Sequence, residues 1–411
     1  MTAVLTNTVP VGYVGAPRLM RTLDADLTGH LAGHGTLPAL SRDALLALLD
    51  AAPLAGRGGA GFPLATKIRA LGRGEPIVVV NGAEGEPVSA KDRALLSRVP
   101  HLVLDGAQLL ATAVGGRRVL VAVSDPGLLG PLKQALAERP DAGVRFELRT
   151  VPDRFVAGEA RALVSALNGG SAVPPGRRVL PTDRGVDGRP TLLGNTETLA
   201  QLAVLARTGR AGFGSTGTPA EPGTTLLTVT GAVASPGVLE VPLGTPLGTV
   251  AQAVGAEPAQ TVVVGGYHGA WLRPAPTLPI SRAGLTAAGG TLGAGVLIFV
   301  GRQTCALAEL TRVAHWLAGE SAKQCGPCSF GLPALAAELA RLTAGRAAKR
   351  ELLRTANQLP GRGACAHPDG AVRFLRSGLA LLTEEAQLHG AYGSCRRTDL
   401  GQLATTRTGW R

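Results

Sequence analysis

Three of the five cysteines have spacings that suit metal chemistry. Cys325-Gly-Pro-Cys328 sets two thiols close together, and Cys365 follows in Gly363-Ala-Cys365-Ala-His367-Pro. Thiolates so arranged hold an iron–sulfur cluster or zinc. His367 is the nearest candidate for a further ligand, and a site lost to metal but kept as packing is the third outcome. Cys305 reads as part of the same helix as Cys325 and is expected to be a buried small hydrophobe; Cys395 is expected to be a free thiol. All five cysteines lie in the last part of the chain and their number is odd, which favours ligation over a disulfide framework.

A second group of residues suits a phosphorylated or flat ligand. The run Gly56-Arg57-Gly58-Gly59-Ala60-Gly61-Phe62-Pro63 is followed by Lys67. Closely spaced glycines let main-chain N–H groups approach an anion or a ring, and Lys67 can neutralise a phosphate. A tight helix–strand turn is the plain alternative. Farther on, Asn81-Gly-Ala-Glu84-Gly-Glu86-Pro precedes Lys91-Asp92-Arg93. Amides and carboxylates there can bond sugar hydroxyls or a ring edge if they follow a strand of an open α/β sheet. A solvated acidic turn is the competing account.

The elements needed to position these groups are visible in the pattern. Residues 41–54 read as a helix with Ser41 as N-cap and Leu45, Leu48 and Leu49 as its apolar stripe. The run 76–81 is a strand buried on both faces, 101–114 a helix, and 119–124 another buried strand. This alternation predicts an α/β layer with parallel strands. A Gly/Pro/Thr-rich stretch at 210–223 reads as a linker. Short strands from Thr225 and the Pro236-Gly237 turn predict a small β-rich domain closed by Gly265-Gly266 and by 293–300, and the chain is helical from about 303 to 395 with a break at 356–368.

The motifs in order resemble the flavin-carrying, NADH-oxidising subunit of respiratory complex I and the related diaphorase subunits of NAD-linked hydrogenases and formate dehydrogenases. GRGGAGFP and VNGAEGEP…KDR carry the resemblance. Phe155-Val-Ala-Gly158-Glu159 resembles a Tyr-x-x-Gly-Glu-Glu segment, and Pro190-Thr-Leu-Leu-Gly194-Asn195-Thr-Glu197-Thr198 a Pro-Thr-x-x-Asn-Asn-x-Glu-Thr segment. Glu320-Ser-Ala-Lys-Gln-Cys325-Gly-Pro-Cys328 resembles Glu-Ser-Cys-Gly-x-Cys-x-Pro-Cys. The likeness spans roughly residues 40–395.

The resemblance implies an α/β, Rossmann-like domain for FMN and nucleotide at 1–215, a β-grasp domain of the soluble-ligand-binding type at 222–302, and a C-terminal helical bundle carrying an iron–sulfur site at 303–411. It implies that Gly58, Gly59, Gly61 and Lys67 cradle FMN and its phosphate, and that Asn81, Glu84, Asn195 and Thr198 hold the ring and ribityl chain. Phe62, Glu86, Gly158 and Glu159 would lie near NAD(H), and Cys325, Cys328 and Cys365 would bind a [4Fe–4S] cluster. Departures fall at Ala83, Phe155, Ala160, Arg177, Leu180, Gly194 and, in the cysteine motif, Ala322. They touch the nucleotide side more than the flavin side.

The expected activity is an NADH dehydrogenase or diaphorase, an oxidoreductase subunit moving electrons from NADH through FMN to the cluster. The expected partner is a ferredoxin-like or thioredoxin-like [2Fe–2S] subunit. An FMN protein served by ferredoxin, or a cofactor-poor scaffold, are the alternatives. A formal charge of +12 raises nucleic acid as a partner, but no basic run is interleaved with aromatics, which make up 3% of the chain. With no apolar run of about 18 residues and no signal peptide, the expected place is the cytoplasm, peripheral to the inner face of the membrane through a complex. His30, His34, His101 and His268 are expected to be ordinary surface or core residues.

Overall fold

The computed structural model describes residues 9–140, 143–176 and 179–406. Arg177 therefore lies outside the described residues. Two sheets organise the chain. The strands in order are β1 (Val11–Tyr13), β2 (Ile77–Gly82), β3 (Arg118–Val123), β4 (Arg145–Thr150), β5 (Thr191–Asn195), β6 (Thr224–Gly231), β7 (Gly237–Pro242), β8 (Thr245–Pro246), β9 (Ala259–Val264), β10 (Ala270–Leu272), β11 (Pro279–Ile280) and β12 (Val296–Gly301).

The first sheet has the order β4-β3-β2-β5, and every pairing in it is parallel. Ile77, Val78, Val79 and Val80 are wholly buried, as a strand covered on both faces requires. The chain runs outward through β2, β3 and β4 and then returns to place β5 on the other side of β2. Between β2 and β5 the winding reverses, and loops leaving two such strands diverge and open a crevice at their carboxyl ends. Asn81 and Asn195 are paired across β2 and β5 at that end.

Helices close both faces. Ser41 caps the helix Arg42–Ala51, its Oγ accepting from the Ala44 amide at 3.2 Å. The helix Pro100–Ala113 is buried almost all round and lies against Thr196–Phe213. Gly106 allows that approach: a Cβ there would meet the Leu199 carbonyl oxygen at 1.9 Å.

The second sheet is six-stranded and mixed, in the order β1-β7-β6-β12-β9-β10. Its edge strand β1 comes from the N-terminus and pairs parallel to β7. Glu240 on β7 anchors this return. Its buried carboxylate accepts the amides of Arg18, Leu19 and Met20 and the Thr224 hydroxyl at 2.7–3.1 Å. Beyond β12, the helices Ala306–Gly319, Leu332–Thr343, Lys349–Asn357, His367–Leu381 and Thr383–Tyr392 pack together. Cys305 caps the first of these and that helix ends at Gly319, so Cys305 and Cys325 do not share a helix.

Gly106→Ala is expected to destabilise the protein by about 1–3 kcal/mol through overpacking. Gly130→Ala, also helical but with open space around its Cα, is expected to be neutral or stabilising by up to about 1 kcal/mol. Denaturant titration of the two variants checks the contrast.

Candidate flavin and electron-transfer site

A cavity of about 670 Å³ opens at the carboxyl ends of β2 and β5. That is within the usual range of roughly 300–1,000 Å³ for small-molecule sites. Its walls include every residue predicted to bind FMN or NAD(H): Gly58, Gly59, Gly61, Phe62, Lys67, Asn81, Glu84, Glu86, Gly158, Glu159, Asn195 and Thr198. Cys365 reaches the same wall.

The glycine loop is held open from below. The Arg57 amide donates to Thr198 Oγ1 at 2.8 Å, and the Arg282 guanidinium donates to the Gly56 carbonyl at 2.6 Å. Gly59 and Gly61 have φ of 107° and 67°, in the region that favours glycine. Gly61 also admits Arg282, whose Nη1 would lie 2.3 Å from a Cβ at that position. Lys67 points its Nζ to the Leu193 carbonyl at 3.1 Å and has no carboxylate partner among the described residues. Burial lowers its pKa. An incompletely neutralised ammonium on the wall of a glycine-lined cavity fits a phosphate.

The polar residues divide into those that can face a ligand and those that build the loop. Glu84 belongs to the second kind. Its carboxylate accepts Ser89 Oγ and the Asp92 and Arg93 amides at 2.5–3.2 Å, tying the acidic loop to the start of the helix Lys91–Arg98. Asn195 caps the helix Thr196–Phe213 and donates to Asp92 Oδ2 at 2.7 Å. Asn81 donates to the Gly158 carbonyl at 2.9 Å. Glu159 caps the helix Ala160–Leu167 and pairs with Arg161 at 3.0 Å. Phe62 is half exposed at the rim.

Glu86 is different. Its Oε2 accepts the Tyr267 amide at 2.9 Å, while its buried Oε1 has no hydrogen-bond partner among the described residues. Burial is the main cause that pushes its pKa up to about 8, and the Glu84 charge adds to it. A carboxyl that is protonated near neutral pH and lacks a partner on one oxygen fits a polar ligand group.

Beneath the cavity, Lys91 Nζ reaches Glu197 at 3.0 Å and Asp92 and Asn195 at 3.2 Å. Burial disfavours its charge, yet the two carboxylates hold its pKa above the ordinary value. Glu197 also accepts Thr225 Oγ1 and the Leu226 amide from β6, at 3.0 and 3.1 Å. The two sheets are thereby joined under the site.

The sequence did not assign the far wall. It is built by Gly265, Thr291, Gly293, His268, His367 and Arg373. The Gly265-Gly266 pair was the available signal, since both adopt φ near 80° and Gly266 lies against Glu86. His268, expected to be unremarkable, is half-buried and bonded through Nε2 to His367 Nδ1 at 3.0 Å. His367 Nε2 meets the Leu317 carbonyl at 2.9 Å, so both its ring nitrogens are engaged and it is not free as a metal ligand.

Cys325, Cys328 and Cys365 are brought together. Burial, a hydrogen bond with Cys325 and the charges of both other thiols push the Cys328 thiol up to about 12. The Ala322 amide near Cys328 and the His367 amide near Cys365 act in the opposite sense, favouring the thiolates. Three neighbouring thiols that interact electrostatically fit cluster ligation. Among the described residues no fourth cysteine joins them. Leu180 is exposed beside a smaller cavity of about 370 Å³ that also reaches Cys365.

Known proteins resemble this chain in sequence and fold. Residues 49–204 match the model of the Nuo51 FMN-binding domain, and 308–389 match the NADH-ubiquinone oxidoreductase-F iron-sulfur binding region. The NADH-quinone oxidoreductase F subunit of Streptomyces coelicolor is 30% identical, covering 85% of this chain and 84% of its own length. The chain belongs to the NADH-quinone oxidoreductase F-subunit family. The F 2 subunit of Rhizobium meliloti, also in the family, is 30% identical over 91% of this chain and 97% of its own length. A chain of an NAD⁺-reducing [NiFe]-hydrogenase, in the H₂-reduced state, superposes with a TM-score of 0.81 at 29% identity, covering 92% of this chain and 68% of that one. The first family match contains the glycine and acidic loops, and the second contains Cys325, Cys328 and Cys365.

The Glu86 carboxyl makes stability depend on pH. Below pH about 4.5 it is protonated folded or unfolded; between about 4.5 and 8 the unfolded chain loses the proton and the folded chain keeps it. Stability therefore falls as pH rises through that window. In the flavin-free protein, Glu86→Gln is expected to gain a few kcal/mol relative to wild type between pH about 5 and about 8.5. Urea titrations at the two pH values check the sign.

Proposed function

We propose that this chain is the NADH-oxidising flavoprotein subunit of a multi-subunit oxidoreductase, with FMN bound in the switch-point cavity. The observation that carries this is Lys67, an ammonium without a carboxylate partner among the described residues, facing a glycine-lined cavity inside the span that matches an FMN-binding domain. When bound, FMN supplies the conversion between a hydride pair taken from NADH and single electrons passed to an iron–sulfur cluster.

The residues supply binding and position. Amides of Gly58, Gly59 and Gly61 and the Lys67 ammonium hold the phosphate. Asn81, Asn195 and Thr198 border the ring and ribityl chain, while Glu84 acts through the loop it caps. Phe62 at the rim, with Glu86, Gly158 and Glu159, lines the approach for the nicotinamide nucleotide. Glu86 holds a proton at its carboxyl near neutral pH and can donate it to a ligand oxygen. Phe155, on the cavity wall, packs edge-on to His268 and to Trp316 of the helix Ala306–Gly319. Cys325, Cys328 and Cys365 would hold the cluster, and Ala322 stands where the motif's first cysteine would be.

The electrons leave to a small iron–sulfur subunit of the ferredoxin-like or thioredoxin-like [2Fe–2S] kind. No helix among the described residues is long and apolar enough to cross a membrane, so attachment to one comes through such a complex.

Lys67→Ala is expected to weaken FMN binding by about 10- to 100-fold, from the loss of a charge-assisted hydrogen bond of about 1.5–3 kcal/mol. Riboflavin, which lacks the phosphate, should bind both proteins alike, and equal loss of the two ligands would refute the assignment of Lys67. Stopped-flow mixing with NADH should bleach the flavin absorbance. Bleaching by reduced ferredoxin alone would overturn NADH as the donor. After anaerobic reconstitution, the paramagnetic resonance signal of the cluster should be lost in Cys325→Ser, and an unchanged signal would remove that residue from the ligand set.

A further inference from the structure

Two cysteines are left over from the electron-transfer site, and they are not isolated. Cys305 lies at the start of the helix Ala306–Gly319, and Cys395 lies just beyond the last helix, Thr383–Tyr392. That last helix presents Glu385 and His389, four residues apart, to the same point. Cys305 Sγ, Glu385 Oε1, His389 Nε2 and Cys395 Sγ all lie within 4.8 Å of one another. Cys305 and Cys395 both fall outside the span 308–389 that matches the iron–sulfur region.

From this geometry we propose a structural zinc site formed by Cys305, Glu385, His389 and Cys395, separate from the cluster of Cys325, Cys328 and Cys365. Zinc takes sulfur at about 2.3 Å, nitrogen at about 2.0–2.1 Å and oxygen at about 2.0–2.2 Å in a tetrahedron, so its donors stand about 3.4–3.8 Å apart. Cys305 Sγ is 3.2 Å from Glu385 Oε1 and 3.4 Å from His389 Nε2. With all four donor atoms within 4.8 Å of one another, shifts of up to about an ångström would complete the coordination.

The surroundings suit a closed site. His389 Nδ1 donates to the Thr343 carbonyl, which leaves Nε2 with a lone pair aimed at the other three ligands. The Ala308 amide donates to Cys305 Sγ and the Leu307 amide to Glu385 Oε1, at 3.4 and 2.8 Å. Both are free amides of a helix N-terminus and stabilise negative charge on the ligands. Binding releases the two thiol protons. Two thiolates, one carboxylate and Zn²⁺ leave a net charge of −1, and Arg397 stands 3.0 Å from Glu385 Oε2 to balance it. Four protein ligands leave no open position, so the ion is structural and does no chemistry. It fastens the final segment to the start of the helical region, where the Cys305 amide already donates to the Thr398 carbonyl at 2.8 Å.

The holoprotein, incubated with one equivalent of zinc chloride and passed through a desalting column, should keep about one zinc per chain by elemental mass spectrometry. Zinc-edge X-ray absorption of the unmutated protein should show two sulfur and two nitrogen or oxygen neighbours. Cys395→Ser and His389→Gln should each lower retained zinc at least about tenfold with flavin content unchanged, whereas Cys325→Ser should keep it. Retention below about a tenth of an equivalent, a shell without two sulfurs, a Cys305–Cys395 disulfide, or zinc lost in Cys325→Ser but kept in Cys395→Ser would each overturn the site.

Discussion

The buried ammonium of Lys91 is the constraint on which the rest of the site depends. It stands among Asp92, Asn195 and Glu197, under the point where β2 and β5 diverge. An isolated charge in that position would be costly to bury, and removing one partner of a buried ion pair leaves the other uncompensated. The acidic loop, the start of the helix after β5 and the second sheet must therefore come together or not at all. Glu197 completes the join by taking the Leu226 amide of β6. The residues of the FMN-binding match acquire a shared floor that no single element could provide.

Above that floor, polarity is divided between structure and ligand. Glu84, Asn81 and Asn195 spend hydrogen-bonding capacity on the protein itself, and in doing so set the loops at fixed positions. Lys67 and Glu86 retain capacity that the other described residues do not use. Such retained capacity in a buried wall is expensive unless a ligand fills it. The same division holds among the cysteines. Cys325, Cys328 and Cys365 influence one another's charge in the iron–sulfur region, while Cys305 and Cys395 meet a carboxylate and an imidazole elsewhere.

Much of the architecture was legible from local pattern. Ser41 capped its helix, the apolar runs at 76–81 and 119–124 became buried parallel strands, and the motif residues from Gly58 to Thr198 met in one cavity. These features depend on period, capping and ordered motifs, which are properties of neighbouring residues. The strand order was less accessible. That the N-terminal strand β1 would add to β7 follows from Glu240 collecting amides more than two hundred residues away, and a separation of that kind leaves no local trace.

What the sequence by itself determined was the chemistry available: a glycine loop with an ammonium, an acidic loop after a strand, and three thiols at ligand spacing. Tertiary structure alone decided which groups face one another. It turned Glu84 inward as a cap, engaged both nitrogens of His367 and so withdrew it from the metal. It also brought Cys305 to Cys395 across ninety positions by ending one helix at Gly319 and folding the last one back over its start. The physical reason is that spacing along a chain fixes contacts only within an element, whereas contacts between elements follow from which faces can be buried together.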